Sequence, residues 1–590
     1  MLMNLFKFKG GVKPPTNKTQ SVTLPIAVAP IPSRLVVPLH QSIGGTPRPV
    51  VQAGDKVLKG QLIGEADGWI SAAVHAPTSG TVLEVAMHTQ PHPSGLDSLC
   101  VVIEPDGKDE WIARDLVDYK SMAPESVREK LQQSGVVGLG GAVFPTHGKL
   151  TASKTVPMDE LVINGAECEP FITCDDLLMR ERAEEVVRGI GIFRDLLQPK
   201  KVLIGIEDNK PEAAAAMRAA VEAVGEDFVV VQVPTLYPAG GAKQLIRVLT
   251  GKEVPASKRS TDLGVQCFNV ATAYTAWRAI AQGEPVVSRL VTVTGNVGEP
   301  RNYEVLIGTP MDELLKLAHP HPDTDGIIMG GPMMGFLVPD RRVPVIKATN
   351  CLIAHDERLF PPKAPEMPCI RCGACARACP HELQPFEMYW FSRAKNFGKT
   401  QEYNIFDCIE CGCCSFVCPS RIPLVQYFRF AKSEIWARER EKNAADQAKA
   451  RFEFKQLREE REKAEKAEKL AKAAAAQAAK KAAEAAAAAA APAESAAQPV
   501  AAEAAAPVTA PVPPAAAPAT GDAEKAAKMA TIEAAMARAK AQREAVQPKN
   551  TDNLTPEQQK AAADIEARRV AAHLIEPEPA QPAAPPDPKS

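Results

Sequence analysis

The sequence predicts a multidomain protein in which an α/β core is joined to small β domains. Three observations support this prediction. The chain has 590 residues, which is too many for one hydrophobic core and suggests three or four domains. Residues 201–233 alternate apolar runs with a helix-forming stretch, as a βαβ unit does. Residues 30–105 alternate short apolar runs with Gly, Pro and Asp, which is typical of a small all-β domain.

The composition argues against several classes of protein. The formal net charge is −2 and no basic stripe with interleaved aromatic residues occurs, so the sequence gives no indication of nucleic-acid binding. Residues 1–15 lack the apolar stretch and the cleavage site of a signal peptide. The alanine tract 482–491 is interrupted by Glu484 and is too weakly apolar to cross a bilayer. We therefore expect neither a signal peptide nor a transmembrane segment.

After an N-terminal segment (1–29), the small β domain is expected at 30–110. Its segments 51–64 and 75–82 resemble biotinyl/lipoyl-like β-sandwich domains. In carrier domains of that family, a lysine sits at the hairpin tip between these two segments. The intervening residues 65–74 contain no lysine here, so we expect a scaffold or docking surface and no swinging-arm chemistry.

The α/β core is expected at 120–285. Apolar runs at Lys201–Ile206 and Phe228–Val233 predict buried strands, and Pro211–Val224 predicts the helix between them, with proline in its first turn. Glu207 follows the first strand, where an acidic side chain can meet a ribose hydroxyl. An exposed loop carboxylate is the commoner explanation at such a position, and it is the one we expect.

A glycine-rich segment precedes these strands, at residues 135–149. Glycines let backbone amides approach a phosphate closely, and Lys149 can add a positive charge. The segment is neither a dinucleotide fingerprint nor a Walker A loop. Taken alone, it indicates either a phosphate-binding loop or a flexible turn.

A smaller β unit is expected at 286–340. Arg289–Gly295 alternates as a strand, while Thr309 and Pro310 predict a helix start with a hydroxyl at the N-cap and proline at the first helical position. Residues 330–335 should turn the chain. The unit resembles the soluble-ligand-binding β-grasp domain, and we assign it no chemistry.

Two cysteine motifs with the same spacing lie between residues 369 and 419. Each reads Cys-x-x-Cys-x-x-Cys-x-x-x-Cys-Pro, the spacing with which bacterial ferredoxins hold [4Fe–4S] clusters. A zinc site needs only two Cys-x-x-Cys pairs, so it would not explain the third cysteine or the Cys-Pro ending. In two-cluster ferredoxins the fourth cysteine of each motif ligates the other cluster. The predicted ligands are Cys369, Cys372, Cys375 and Cys418 for one cluster, and Cys408, Cys411, Cys414 and Cys379 for the other.

These motifs predict a bacterial-type two-cluster ferredoxin domain at 360–430. Of the 14 cysteines, eight would be cluster thiolates, which fits a reducing cytoplasmic setting better than a secreted protein. Cys413 lies between two predicted ligands, and we expect it to be a buried thiol. We expect Cys168 to be a packed thiol as well.

The tail, residues 434–590, is dominated by Ala, Lys, Glu and later Pro. Few of its residues are β-branched or aromatic, so it cannot build a packed core. Residues 434–491 favour helix by propensity, whereas 492–522 should be disordered. A loose repeat relates 530–534 to 563–567. We interpret the tail as a solvated tether, with a recruiting arm for a partner as the alternative.

Three segments of the core resemble the NADH-oxidising flavoprotein subunit of respiratory complex I. They are Gly138–Lys149, Asn164–Pro170 and Tyr237–Leu245. The resemblance implies a Rossmann-like core that binds FMN and takes NAD(H) as substrate. It also implies that the flavin is held near Gly138, Gly140, Gly141, Lys149, Asn164, Glu167 and Glu169.

The chain departs from that family at several positions. Arginines of the family's first loop are Val137 and Leu139 here, its aspartate is Ala166, and its paired glutamates are Gly241 and Ala242. We therefore expect the flavin pocket to persist better than the nicotinamide contacts.

Together with the stretch Phe8–Pro15 and the cluster motifs that follow the core, residues 1–435 resemble the C subunits of Rnf (also Rsx) ion-translocating electron-transport complexes. The resemblance implies a peripheral subunit on the cytoplasmic face of the bacterial inner membrane. It would exchange electrons between NAD(H) and ferredoxin-type carriers, in contact with other subunits of the complex.

Three hypotheses follow. The first is an NADH-linked oxidoreductase whose FMN and two [4Fe–4S] clusters convert hydride transfer into single-electron steps, with no catalytic side chain beyond the cofactors. The second is a non-catalytic iron–sulfur relay and assembly subunit with a vestigial flavin loop. The third is a soluble quinone or hydrogenase-type diaphorase, which the sequence does not separate from the first.

Overall fold

The computed structural model describes residues 5–151, 156–256, 258–362 and 364–489. The chain divides into two units, Met1–Ala467 and Glu468–Ser590. In the second unit the described residues are helical. The disorder predicted for 492–522 and the loose repeat beyond it lie outside the described residues.

Strand β1 (Ala27–Val28) belongs to a later sheet, and the small β domain follows it. Its strands are β2 (Leu35–Pro38), β3 (Arg48–Pro49), β4 (Lys56–Val57), β5 (Leu62–Glu65), β6 (Val74–His75), β7 (Gly80–Thr89) and β8 (Asp97–Pro105). They form two sheets with the orders β2-β8-β7-β4 and β3-β5-β6. Alternate residues such as Leu35, Val37, Val101 and Ile103 are fully buried, as a two-sheet domain requires. The all-β prediction is confirmed.

The α/β core surrounds a four-stranded parallel sheet. Its elements are α1 (Pro124–Gln133), α2 (Thr146–Lys149), β9 (Glu160–Gly165), α3 (Cys174–Glu181), α4 (Ala183–Leu197), β10 (Lys201–Glu207), α5 (Pro211–Val224), β11 (Val229–Val233), α6 (Ala242–Thr250), β12 (Val265–Asn269) and α7 (Val270–Ala281). Helix α5 begins at Pro211 and ends before Gly225, which adopts a left-handed conformation. The predicted βαβ unit is confirmed by the parallel pairing of β10 with β11.

The order of strands in this sheet is β11-β10-β9-β12. The chain therefore builds outward from β9 in one direction and then returns to place β12 on the other side. The register pairs Asn164 of β9 with Asn269 of β12. At such a topological switch point, the carboxyl ends of the two strands border a crevice in which parallel α/β sheets bind ligands.

A mixed-sheet domain comes next. Its elements are β13 (Ser288–Gly295), β14 (Arg301–Leu306), α8 (Met311–Lys316), β15 (Gly326–Met329), β16 (Phe336–Leu337) and β17 (Cys351–His355), and the sheet order is β1-β14-β13-β17-β15-β16. The sheet thus includes strands on both sides of the expected range 286–340. The predicted cap of α8 is wrong: Pro310 occupies the N-cap, and the Thr309 hydroxyl donates to the carbonyl of Leu306 at 2.8 Å.

The cysteine-rich part is helical and contains α9 (Ala374–Ala378), α10 (Pro385–Arg393), α11 (Phe397–Glu402) and α12 (Cys413–Phe416). Helix α13 runs from Leu424 to Ala489. In the first unit, its opening turns bury Leu424, Phe428, Ala431 and Ile435 against α10 and α11, so the helix begins earlier than the tail composition predicted. Within the described residues, no helix is both long and apolar enough to span a membrane.

Candidate functional site

Two asparagines lie at the switch point of the parallel sheet. Asn164 donates through Nδ2 to the carbonyl of Gly240 at 2.8 Å. Asn269 donates through Nδ2 to Asp175 Oδ2 at 2.6 Å, and its Oδ1 accepts from the amide of Ala271 at 2.9 Å, which caps α7. Sequence reasoning missed Asn269. The signal that could have found it is an asparagine between an apolar strand and a helix-forming run.

The glycine-rich loop folds over this switch point. Its base is closed by two bonds, from the Gly138 amide to the Phe144 carbonyl at 2.8 Å and from the Val143 amide to the Gly138 carbonyl at 3.1 Å. Its tip, Gly140 and Gly141, is exposed. A Cβ atom on Gly140 would lie 3.2 Å from the Cβ of Asn269, so the loop backbone is in close approach to the carboxyl end of β12.

A phosphate-binding loop needs free space beside its backbone as well as close approach, and Gly141 provides that space. Its φ is +120°, a conformation that side chains rarely adopt, and a Cβ there would meet no described atom within 4 Å. The tip therefore borders open space rather than packed protein.

Lys149, at the end of α2, is a desolvated cation beside the same strand end. Its Nζ donates to the carbonyl of Cys267 and lies 4.6 Å from the centroid of the Phe268 ring. Burial lowers the pKa of this amine, and among the described residues it forms no ion pair with a carboxylate. A buried charge without a partner is costly, so an anionic group such as a phosphate is the chemistry that this position accommodates.

Glu167 points toward the start of α3. Its Oε1 accepts from the Asp175 amide at 2.7 Å, while Oε2 lies 3.9 Å from Lys18 Nζ and has no hydrogen-bond donor among the described residues. Burial raises the pKa of Glu167 to about 8. Asp175 in turn accepts a hydrogen bond from Asn269. Glu167 is therefore connected to the switch point through Asp175 and does not contact Asn269 itself.

The turn that carries Glu167 is held by Lys18 from the N-terminal segment. Its ammonium donates to the main-chain carbonyls of Glu167 at 2.8 Å, Glu169 at 2.9 Å and Ile172. Glu167 has a positive φ of 50°, which costs energy for a residue with a side chain. The three carbonyl contacts of Lys18 fix this conformation.

Glu169 reaches across to the mixed-sheet domain. Its Oε1 accepts from the amides of Met333 at 2.7 Å and Met334 at 3.0 Å. Burial raises its pKa. A Cβ on Gly331 would lie 2.0 Å from Glu169 Cγ, so this turn accepts only glycine while the contact is kept. Glu169 therefore links the α/β core to the mixed-sheet domain.

The expectation that Glu207 is an exposed loop carboxylate is wrong. This residue is fully buried, not exposed, because β10 extends one residue further than predicted. Its Oε2 lies 3.0 Å from Lys210 Nζ, which also donates to the Ala166 carbonyl at 2.9 Å. The lysine three residues later supplies the counter-charge, so the carboxylate supports the turn after Asn164.

Two cavities in the described part of the chain are each lined by four of the predicted cluster ligands. The outer cysteine cavity is lined by Cys369, Cys372, Cys375 and Cys418. The inner cysteine cavity is lined by Cys379, Cys408, Cys411 and Cys414. These are the two crossed sets that the sequence indicated. Cys413 also lines the inner cavity. It is fully buried and packs in a cluster with Val12, Tyr237 and Ala378.

The inner cysteine cavity packs directly against the α/β core. The Tyr237 hydroxyl donates to the carbonyl of Cys411 at 2.6 Å, and Gln244 Nε2 lies 2.9 Å from Nε2 of His381, which lines the cavity. Since Asn164 binds the carbonyl of Gly240, the segment 237–240 touches the switch point at one end and the inner cavity at the other.

The N-terminal segment packs against the backbone at Ala378 and Cys379, beside the inner cavity. The Gly11 amide donates to the Ala378 carbonyl at 3.0 Å, and a Cβ on Gly10 would lie 2.5 Å from the Cys379 carbonyl oxygen. Gly10 has a positive φ of 71°, so glycine is required here for both reasons. Cys168 packs in the same apolar cluster, and burial raises its pKa, as expected for a packed thiol.

Family comparisons agree with this division of the chain. Residues 6–108 match the RnfC barrel sandwich hybrid domain, and 131–278 match the Nuo51 FMN-binding domain. Residues 290–337 match the SLBB domain, and 368–422 match the 4Fe-4S dicluster domain. The fold and these matches define an electron-transfer protein with FMN-binding and [4Fe–4S]-binding domains.

Relatives are similar over most of the chain. A protein of Yersinia pestis bv. Antiqua (strain Antiqua) is 47% identical over 458 residues, which are 77% of this chain and 73% of the relative. One of Pasteurella multocida (strain Pm70) is 48% identical over 68% of this chain, but this chain covers 48% of its length. Both are named as the C subunit of an ion-translocating oxidoreductase complex. The chain belongs to this family of subunits.

A solved NAD+-reducing [NiFe]-hydrogenase in the H2-reduced state has 19% sequence identity and a TM-score of 0.39 to this chain. The alignment covers 50% of this chain and 59% of the hydrogenase chain.

Proposed function

We propose that this chain exchanges electrons between NAD(H) and one-electron carriers, with FMN at the switch point and [4Fe–4S] clusters in the two cysteine cavities. The observation that supports this most is the path of contacts from Asn164 through Gly240 and Tyr237 to Cys411. It places the ligand-binding end of the α/β sheet next to the inner cysteine cavity.

The residues at the switch point fit a flavin mononucleotide. Lys149 is the desolvated cation for its phosphate, and the exposed backbone of Gly140 and Gly141 offers close approach. Asn164 and Asn269 border the crevice at the ends of β9 and β12. Gly138 contributes by closing the base of the loop. FMN supplies the conversion between two-electron hydride transfer and single-electron transfer when it is bound.

Glu167 and Glu169 are positioning residues in this proposal. Glu167 holds the start of α3, whose Asp175 orients Asn269. Glu169 holds the turn at 331–335 against the core. The expectation from the resemblance that the flavin is held near both carboxylates stays a prediction beside these contacts.

The eight cysteines fit two clusters because each cavity gathers thiols from both motifs. The outer cavity would hold its cluster through Cys369, Cys372, Cys375 and Cys418. The inner cavity would hold its cluster through Cys408, Cys411, Cys414 and Cys379. The crossed fourth ligand ties both motifs into one bacterial-type ferredoxin domain.

As a subunit of this family, the chain would sit peripherally on the cytoplasmic face of the bacterial inner membrane. Its partners would be other subunits of the ion-translocating complex and, through them, ferredoxin-type carriers. We retain the domain limits expected from the sequence, with the β-grasp unit extended to include β17. The enzyme class is an NADH-linked oxidoreductase subunit of a translocase.

The experiment is NADH oxidation by the purified chain after anaerobic reconstitution with FMN, iron and sulfide, with ferricyanide as the electron acceptor. We expect turnover that requires added FMN. A chain with full iron content and bound FMN that does not oxidise NADH would contradict the proposal. That result would support the relay hypothesis, which the replacements at Val137, Leu139 and Ala166 favour.

A further inference from the structure

The mixed-sheet domain extends a buried arginine into the α/β core. Arg289 lies in β13, and only 3% of its surface is exposed. Its Nε donates to the carbonyl of Thr349 in its own domain at 3.2 Å. Its Nη2 donates to the carbonyl of Leu139, in the glycine-rich loop, at 2.8 Å. The guanidinium is therefore anchored in one domain and bound to a loop of another.

No acidic side chain pairs directly with this guanidinium. Among the described residues, no carboxylate oxygen lies within 4.0 Å of the side-chain nitrogens of Arg289. Burial raises the pKa of Asp175, and the charge of Arg289 is the strongest influence that opposes this rise. A buried arginine without a direct counter-ion leaves positive potential beside the loop, as Lys149 does at the end of α2.

The bond to Leu139 fixes the direction of the next amide. The Leu139 carbonyl and the Gly140 amide belong to one trans peptide unit, in which these two groups point in opposite directions. Because the carbonyl is turned inward to Arg289, the Gly140 amide points outward, to the exposed side of the loop. Among the described residues, the amides of Gly140, Gly141 and Ala142 donate no hydrogen bond. Three successive free amides form a set of donors for an anion.

The other peptide group of Leu139 is held as well. Its amide donates to Thr272 Oγ1 at 2.9 Å. Thr272 is a fully buried residue of α7, and Leu139 itself is buried. Since Leu139 has both its amide and its carbonyl bound inside the protein, the backbone that follows it faces solvent in one fixed orientation.

A second buried cation of the mixed-sheet domain lacks this arrangement. Lys347 is 1% exposed and donates to the carbonyls of Gly135 at 2.7 Å and Ala73 at 2.9 Å. The amide that follows Gly135 is that of Val136, and it already donates to the Leu131 carbonyl at 3.0 Å. Lys347 therefore ties domains together but presents no free donor to a ligand.

We propose that Arg289 is a positioning residue for the flavin phosphate: it holds the Leu139 carbonyl and so turns the Gly140 amide toward the phosphate. The proposal rests on the proposed function in requiring FMN at the switch point. It gives the mixed-sheet domain a part in flavin binding, because a residue of β13 then determines how a loop of the α/β core meets its ligand.

The test uses riboflavin, which has the ring system and ribityl chain of FMN but no phosphate. The Kd of each flavin is measured by fluorescence quenching with the cluster-loaded, flavin-free chain. Arg289→Gln removes the guanidinium. Thr272→Val keeps the guanidinium but removes the acceptor of the Leu139 amide. Lys347→Met is the matched control, since it removes a buried cation of the same domain that orients no free amide.

We expect the wild type to bind FMN more tightly than riboflavin, by about tenfold or more. Arg289→Gln should raise the Kd for FMN about tenfold and change the Kd for riboflavin by less than about twofold. Thr272→Val should shift the ratio of the two Kd values in the same direction, whereas Lys347→Met should keep the wild-type ratio.

Equal loss of affinity for both flavins in Arg289→Gln would mean that Arg289 only stabilises the fold, which would overturn the proposal. An unchanged ratio in Thr272→Val would also overturn it, because Arg289 would then act through its charge and not through the direction of the peptide. Iron content and thermal melting establish which variants fold. If Arg289→Gln does not fold, the ratio in Thr272→Val decides the question.

This experiment separates the positioning role from the proposed function. A wild-type chain that binds neither flavin would refute the proposed function and this inference with it. FMN binding with a ratio that Arg289→Gln leaves unchanged would refute only the positioning role. Selective loss of FMN affinity in Arg289→Gln, with no NADH oxidation by the wild type, would refute only the exchange with NAD(H).

Discussion

Replacement of Lys149 by methionine should weaken FMN binding strongly. The substitution keeps an unbranched side chain but removes the ammonium that lies over Phe268 and donates to the Cys267 carbonyl. A hydrogen bond to a charged group contributes about 1.5–3 kcal/mol. At about 1.4 kcal/mol for each factor of ten, the Kd for FMN should rise about 10- to 150-fold.

The same substitution should not destabilise the flavin-free chain. Burial lowers the pKa of Lys149 in the absence of an ion-pair partner, so the amine is held at a cost that methionine avoids. We therefore expect the melting temperature of the flavin-free Lys149→Met variant to equal or exceed that of the wild type. If Lys149 served only to stabilise the fold, the flavin-free variant would melt at a lower temperature than the wild type.

The assay is titration of the flavin-free chain with FMN, followed by quenching of flavin fluorescence and by calorimetry. Lys108→Met, at an exposed lysine of the small β domain, is the control and should bind FMN as the wild type does. An affinity of Lys149→Met within about twofold of the control, a difference of about 0.4 kcal/mol, would refute the assignment of Lys149 to the phosphate.

Three further predictions follow from other parts of the chain. Cys379→Ser should remove about half of the iron and leave the outer cluster, whereas Cys413→Ser should keep all of it. Iron analysis and EPR check both: loss of the outer cluster in Cys379→Ser would contradict the crossed assignment, and loss of iron in Cys413→Ser would contradict the exclusion of Cys413 as a ligand. Glu304→Gln should lower the free energy of unfolding at pH 7 by about 3 kcal/mol. Although burial opposes it, the guanidinium groups of Arg278 and Arg182 lower the pKa of Glu304 to about 2. Its stabilisation is therefore present above pH 4.5 and is lost as the pH falls toward 2, which urea unfolding across pH measures. Burial lowers the pKa of Lys347 to about 7, so wild-type stability should rise relative to Lys347→Met as the pH goes from 7 to 10.5, by up to about 5 kcal/mol. Parallel melting curves of the two proteins would contradict this last prediction.

The local features of the fold were predictable from the sequence because neighbouring residues determine them. Helix α5 begins at the predicted Pro211, and the pairing of β10 with β11 follows from the apolar runs on either side of that helix. The two cysteine sets were predictable because the spacing of the motifs is itself the geometry of a cluster-binding turn.

Features that depend on distant residues were not predictable. Asn269 matters because β12 pairs with β9, more than 100 residues earlier, and nothing near Asn269 in the sequence encodes that neighbour. The resemblance predicts Glu169 near the flavin, and that stays a prediction; its contacts with amides more than 160 residues later have no local signal in the sequence. Glu207 is buried because Lys210, three residues later, is buried with it and supplies the counter-charge, and the sequence pattern of a strand end does not show such a pair.

The mixed-sheet domain shows the same limitation. Strand β1 comes from the N-terminal segment and β17 lies beyond the expected domain end, yet both join one sheet. Such short strands have no distinctive local pattern, since β1 is the dipeptide Ala27–Val28. Only pairing with β14 identifies it as a strand.

The central claim is that electrons from NADH enter this chain at the switch-point flavin and reach both cysteine cavities. Anaerobic titration of the FMN- and cluster-loaded chain with NADH tests it most directly, with flavin absorbance and cluster EPR recorded on the same samples. We predict bleaching of the flavin band by about one equivalent of NADH, followed by cluster signals that the Cys379→Ser variant reduces to one. Clusters that dithionite reduces but NADH does not, with FMN bound, would contradict the claim.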